Sequence, residues 1–316
     1  MIRYVTRRLV YLVPVWLGIT VLAFTLALLS PGDPVRQALQ QTGIDAPSAE
    51  QVRAMREELG IDQPAPLRYV RWLSSAVRGD LGTSIRTGEP VLQALADRFP
   101  RTATLALVGV ALGLLLALPL GIVSAVLRNS AVDHLARFAA LVGASIPSFW
   151  LAYLLIILFA VQLKVLPVAG SATPQHLVLP ALTLAIGAAA TLTRLTRSAM
   201  LEELSQEYVR TARAKGLRER AVIVRHALRN ALVAITTVTG IRLAALLGGA
   251  VIVESIFAWP GIGKFVLDAI GARDYPTIQG FVIFTGSVVL AINLVVDLTY
   301  AWLDPRVRLG GRAGGH

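Results

Sequence analysis

Two uninterrupted charge-free runs constrain this chain more than any other feature. Between Arg101 and Arg128, and again between Arg137 and Lys164, 26 residues pass without an acidic or basic side chain. As a helix each run measures ~39 Å against a hydrocarbon core of ~30 Å, enough to cross a bilayer with some tilt. Further apolar stretches at 9–29, 177–193, 231–253 and 279–303 bring the expected number of spans to six. Charged residues make up only 16% of the chain, where soluble domains carry ~25%, and mean hydropathy is +0.65. A soluble enzyme is not expected on those grounds. Arg3, Arg7 and Arg8 precede the first stretch as they would a signal peptide. Its 21 apolar-rich residues exceed a signal h-region and no convincing small-residue cleavage site follows, so it is expected to stay as an anchor.

The net charge of +11 needs no nucleic acid to explain it. With the N-terminus inside, the inner segments 1–8, 128–137, 194–230 and 304–316 carry 17 basic and six acidic residues. The outer segments 30–101, 164–176 and 254–278 carry 12 of each. All of the excess thus falls on one face, as the positive-inside rule expects, although the long 30–101 loop counts weakly. Both termini are expected in the cytoplasm. The chain divides into an N-terminal segment and first span at 1–29, an outer loop region at 30–101, a five-helix core at 102–303 that includes an inner loop at 197–230, and a tail at 304–316.

The outer loop reads as structured. Ser48-Ala-Glu-Gln51 has the form of a capping box, predicting a helix near 49–59 that stops at Gly60. Two more short helices are expected at 66–77 and 90–99, with Gly79, Gly82 and Gly88 between them. A core this small is marginal alone, so it should pack on the spans or on a partner.

Signals for chemistry are sparse. Gly261-Ile-Gly-Lys264 is too short for a phosphate-binding loop. His134, His176, His226 and His316 are scattered, and there is no cysteine. No catalytic residue, cofactor site or metal site is assigned to this chain.

The informative segment joins spans four and five. It reads Glu207-Tyr-Val-Arg-Thr-Ala-Arg-Ala-Lys-Gly216, followed after nine residues by His226-Ala-Leu-Arg-Asn230. A helix over about 201–215 ending at Gly216 would set Leu201, Leu204, Tyr208 and Ala212 in one apolar stripe, and a second helix should open near Arg218. Such a helix lies along the membrane face and offers a surface to another molecule; a solvated or lipid-facing connector would show the same pattern.

This segment resembles the cytoplasmic loop of the permeases of ABC importers, whose pattern is Glu-Ala-Ala, three residues, Gly, nine residues, then Ile-x-Leu-Pro. Ala212, Gly216 and Leu228 match it; Arg210 and Thr211 replace Glu and Ala, and His226 and Arg229 replace Ile and Pro. Those departures are the ones typical of the oligopeptide, dipeptide and nickel branch, although Ala234 stands where that branch often has Pro. The resemblance extends over nearly the whole chain, through Pro31-Gly-Asp-Pro34, Gly60-Ile-Asp-Gln-Pro64, Gly79-Asp-Leu-Gly82, Pro147-Ser-Phe-Trp150, Glu254-Ser-Ile-Phe-Ala-Trp-Pro-Gly-Ile-Gly263, Arg273-Asp-Tyr-Pro276 and Asp304-Pro-Arg306. The chain is identified as similar to a B-type permease of that branch.

The resemblance implies an all-α membrane protein with the type I importer permease fold, in the bacterial inner membrane. It implies a second homologous permease, two cytoplasmic ATPase subunits that hold the ATP and magnesium, and an extracytoplasmic binding protein. The ATPase-coupling residues would be Glu207, Tyr208, Arg210, Thr211, Ala212, Arg213, Ala214, Lys215, Gly216, His226, Arg229 and Asn230. Di- or oligopeptides are the expected cargo, with nickel, a metal chelate or a glutathione-like molecule as alternatives. A secondary transporter competes less well, because the spans hold only Arg242 and Asp297 for ion coupling. Arg242 lies 11 residues into span five, ~16 Å deep, where a charge normally faces a bundle interior or a wet cavity. It either lines the pathway and meets an anionic part of the cargo, or forms a structural contact with Asp297, another acid or the second permease.

Overall fold

A computed structural model of the chain describes residues 2–29, 39, 48–58 and 62–303. Gly60 and the tail from 304 lie outside them, as does the side chain of Asp297. The described residues form helices α1 (Ile2–Leu29), α2 (Ala49–Glu58), α3 (Ala65–Val77), α4 (Val91–Val126), α5 (Ala131–Ser145), α6 (Ser148–Leu155), α7 (Val178–Leu204), α8 (Glu207–Ala214), α9 (Glu219–Ala221), α10 (Leu228–Leu247), α11 (Val251–Ile256), α12 (Ile262–Gly271) and α13 (Tyr275–Leu303). Wider π-helical turns at Ile156–Gln162 and Val222–Ala227 extend α6 and join α9 to α10. Among the described residues five helices are long and apolar enough to cross a membrane, or six spans when the bent pair α5–α6 counts as one.

That bent pair corrects one expectation. The run from 138 to 163 is not a straight 39 Å helix, because α5 and α6–Gln162 meet at 101°. Pro147 supplies the cause: its ring disfavours the α conformation at Ile146, which lies extended at ψ 121°. A second correction concerns 90–99, which is not a separate helix. Val91 opens a single 36-residue helix that runs through Pro100 and Pro119 to Val126.

Helix α7 is the centre of the packing and touches α4, α5, α6 and α10. Its longest contact is with α4, and glycine makes it possible. A Cβ at Gly109 would stand 2.9 Å from Leu184, one at Gly113 2.9 Å from Ala188, and one at Gly121 2.5 Å from Thr196 Cβ. Apolar burial gives little drive between helices already in hydrocarbon, so association rests on close van der Waals fit, which small residues permit. Leu192 and Met200 of α7 are fully buried in this seam, while outward residues such as Leu115 remain 69% exposed to face acyl chains.

Of the 30–101 region, the segment Ala65–Val77 packs on the spans as expected. The capping box forms, with Ser48 N–H donating to Gln51 Oε1 (2.9 Å) and Gln51 N–H to Ser48 Oγ (3.2 Å). Helix α3 lies on α1, where Tyr69 OH and Thr20 Oγ1 share a 2.8 Å hydrogen bond and Tyr69 and Trp72 ring Phe24. Helix α1 packs along α13, with Trp16 Nε1 donating to Ser287 Oγ at 3.0 Å.

The glycine seam makes a specific forecast. Gly121→Leu should disrupt α4–α7 by overpacking, at a cost of about 1–3 kcal/mol or more. Gly187, with nothing within 4 Å of its would-be Cβ, should accept Ala without loss. Thermal midpoints of the two variants in detergent should separate by several degrees; equal midpoints would contradict the seam.

Candidate functional site

The segment between α7 and α10 folds into a compact bracket on the face that carries the basic excess. Helix α7 does not end at 193 but continues to Leu204, where Ser205 and Gln206 break it before α8 starts. The expected single helix over 201–215 is therefore two. The break resets the helical register, so Val209 rather than Tyr208 joins Ala212 beneath α8. Val209 and Val222 are fully buried and Ala212 nearly so, with Leu204 packed against them.

The remaining expected residues of α8 face outward. Glu207, Arg210, Thr211, Arg213, Ala214 and Lys215 are exposed. Arg210 pairs with Glu207 at 3.0 Å, and the Thr211 hydroxyl donates to the Glu207 carbonyl. Both are surface contacts that contribute little energy. The end of α8 is more determined. Gly216 sits at φ +74°, its N–H donates to the Arg213 carbonyl at 2.9 Å, and Leu217 N–H reaches the Ala212 carbonyl at 3.3 Å. This is the Schellman arrangement, which calls for a left-handed residue at that position. Arg213 then reaches across the turn to Glu219 with two bonds of 3.1 and 2.6 Å.

Tyr208 ties the bracket to the spans. Its hydroxyl donates to Glu203 Oε2 at 2.5 Å and accepts from Asn230 Nδ2 at 2.9 Å, joining α7, α8 and α10. Burial, with the Glu203 carboxylate beside it, pushes the Tyr208 phenol above its ordinary pKa, so the hydroxyl stays protonated. His226 is half-buried in the π-helical turn, and Arg229 is exposed on the first turn of α10. The geometry thus brings Tyr208 and Asn230 together and leaves His226 and Arg229 without a described side-chain contact to them.

Several polar residues at the helix ends carry more structure than the sequence reading assigned. Asp133 is fully buried and accepts Arg197 Nε at 2.7 Å and Nη2 at 2.8 Å, Ser124 Oγ at 2.6 Å and Asn129 N–H at 2.9 Å. It fastens the start of α5 to α7. On the opposite face, buried Glu254 accepts Thr102 Oγ1 at 2.7 Å and Lys264 N–H at 2.9 Å, while Thr102 accepts Ile262 N–H. A Cβ at Gly261 would collide with Glu254 Oε1 and Thr102 Oγ1, which explains the glycines of that motif. Buried Asp274 accepts Ser84 Oγ at 2.5 Å and Ile85 N–H at 3.1 Å, pinning the 82–90 turn to the start of α13. The available signals were Ser130 as an N-cap three residues before Asp133, and acids standing next to glycine-rich turns.

Arg242 lies on the exposed side of α10 and donates from Nη2 to Thr191 Oγ1 of α7 at 2.9 Å. Among the described residues it makes no ion pair. Asp297 follows Val296 on α13, and Val296 packs at Gly240, so the two charged positions occupy neighbouring levels.

Comparison with known proteins identifies the family. The family described as "Binding-protein-dependent transport system inner membrane component" covers residues 117–309, and its N-terminal companion family covers 1–106. The chain belongs to this permease family. It is 43% identical to a probable D,D-dipeptide transport system permease of Escherichia coli (strain K12), over 96% of each chain. It is 41% identical to a glutathione transport system permease of Pectobacterium atrosepticum, covering 98% of this chain and 99% of the relative. An oligopeptide transport system permease of Bacillus subtilis is 39% identical over 97% and 99%. The inward-facing MetNI methionine ABC transporter shares the fold, with a TM-score of 0.58 at 21% identity over 68% of this chain and 99% of that one. The protein is a multi-pass permease subunit of an ABC importer with the type I fold.

The left-handed turn is the sharpest point of the bracket. Gly216→Val should strain the Schellman turn by ~1–2 kcal/mol without a steric clash, since its Cβ would meet open space. Membrane insertion and yield should match wild type, while ATPase-coupled transport falls severalfold. Wild-type coupled transport in that variant would remove any role for the turn.

Proposed function

We propose that this permease forms half of the translocation pathway of a peptide importer, with α8 as the element that receives work from a cytoplasmic ATPase. One observation carries the reading. Helix α8 is short, stopped at both ends, buried beneath and exposed above, and fixed to two spans through Glu203, Tyr208 and Asn230. A lever of this construction transmits a rigid-body push into α7 and α10 rather than absorbing it.

On this reading the basic face is cytoplasmic, both termini lie there, and the 62–90 region faces the side from which a binding protein delivers cargo. A homologous second permease completes the pathway. Two ATPase subunits bind ATP and magnesium, so this chain needs no cofactor of its own. Peptides are the favoured cargo because similar chains are named for dipeptide and oligopeptide transport. The glutathione permease fits the same class, since glutathione is itself a peptide-like dicarboxylate. Nickel is the alternative, taken as cargo or chelate.

Arg242 is the residue of this chain placed to meet such cargo. It is exposed, ~21 Å into α10, and among the described residues it is held by a hydroxyl rather than a carboxylate. A charge there needs a wet or polar surrounding, which a pathway supplies. In proteoliposomes holding the permease pair, ATPases and receptor, Arg242→Gln should lower uptake of a carboxylate-bearing peptide about tenfold. Complex yield and basal ATP hydrolysis should persist. Failure of assembly would make Arg242 structural, and nickel uptake without peptide uptake would overturn the cargo.

A further inference from the structure

One face of α7 carries a line of open positions. Gly187, Arg194 and Ser198 are exposed and Thr191 half-exposed, at the three- and four-residue spacing of one helix face. Thr191 accepts the hydrogen bond from Arg242. One turn farther along, towards the basic face, Arg194 enters a cavity of about 310 Å³ whose other walls are His134, Arg137, Phe138 and Leu141 of α5. Three cation-capable side chains therefore line one cavity, His134 and Arg137 from α5 and Arg194 from α7, together with the apolar Phe138 and Leu141.

The contrast with the next cation on α7 is informative. Arg197, three residues beyond Arg194, is locked by two bonds into buried Asp133. Arg194, Arg137 and His134 make no ion pair among the described residues, and neither does Arg242. The fold thus neutralises one arginine at this level and leaves its neighbours open. Clustered cations beside an apolar wall at the inner end of a span repel one another and are relieved by an anion.

We propose that the cavity of His134, Arg137 and Arg194 is a release-side anion site, which takes the carboxylate of a peptide after it leaves Arg242. By helical rise, Arg194 lies ~4.5 Å closer to the basic face than Thr191, so the two positions are about one turn apart along α7. The apolar wall accommodates the side chain next to that carboxylate. Arg194 and Arg137 bind the anion as charged donors, and guanidinium geometry suits a carboxylate. This inference rests on the pathway reading of Arg242 and adds to it a second site and a cargo chemistry. The same chemistry could come from an anionic lipid headgroup, and the test separates the two sources.

The chain has no cysteine, so Phe138→Cys gives a single thiol inside the cavity. The assembled complex is placed in nanodiscs, and the rate of maleimide labelling of that thiol is followed in the nucleotide-free state. A millimolar peptide with a free C-terminal carboxylate should slow labelling at least fivefold, and its C-terminal amide should not. Adding Arg194→Gln should abolish the protection. Nanodiscs of zwitterionic lipid should give the same result as those containing phosphatidylglycerol. If phosphatidylglycerol alone protects the thiol, the cavity is a lipid site and the proposal fails. Equal protection by acid and amide also overturns it. Peptide uptake by the wild-type complex is measured alongside. Uptake without protection removes this inference alone, whereas no peptide uptake removes the cargo reading and the inference with it.

Discussion

Everything else in this permease hangs on the close contact of α4 with α7. In hydrocarbon there is little to gain from burying one apolar surface against another, so backbones must approach closely enough for dispersion to hold them. Gly109, Gly113 and Gly121 allow that approach against Leu184, Ala188 and Thr196. The resulting seam makes α7 a stiff central post against which α5, α6 and α10 also lean. Because α7 runs on past the seam to Leu204, the post itself presents α8 on the basic face.

Polar fastenings then fix the two ends of the bundle differently. On the basic face Asp133 binds Arg197 and Ser124, and the Tyr208–Glu203–Asn230 group binds α8 to its flanking helices. On the opposite face Glu254 and Asp274 each gather backbone N–H groups and hydroxyls from distant segments. Buried carboxylates are stable only when so satisfied. Arg242 of α10, which donates to Thr191 of α7, and Arg194 of α7 are unpaired by acids among the described residues.

Much of this was legible in the sequence, for physical reasons. Long charge-free runs leave little choice but spans, and a glycine after Lys215 signals a left-handed stop that the fold contains at φ +74°. The Ser48–Gln51 box formed because its donors and acceptors are local. What failed was continuity. The 90–99 segment joined α4 because Pro100 and its neighbours do not break a helix supported by packing on both sides, whereas Pro147 did break span three. The α7–α8 break moved the buried position from Tyr208 to Val209, since a two-residue interruption rotates every later side chain. The long-range ties of Glu254 to Thr102 and of Asp274 to Ser84 were unreadable, because the partners are 152 and 190 residues away.

Docking of a cytoplasmic ATPase subunit on α8 can be checked directly, because the chain has no cysteine. A single cysteine at Thr211, on the exposed face of α8, is paired in turn with single cysteines on the ATPase surface in right-side-out vesicles of the whole complex. The account predicts that a membrane-impermeant thiol reagent added outside leaves Thr211→Cys unlabelled, and that oxidation cross-links it to an ATPase subunit with a yield that changes on ATP binding. Labelling from the outside, or cross-links formed only to the binding protein or the second permease, would contradict it.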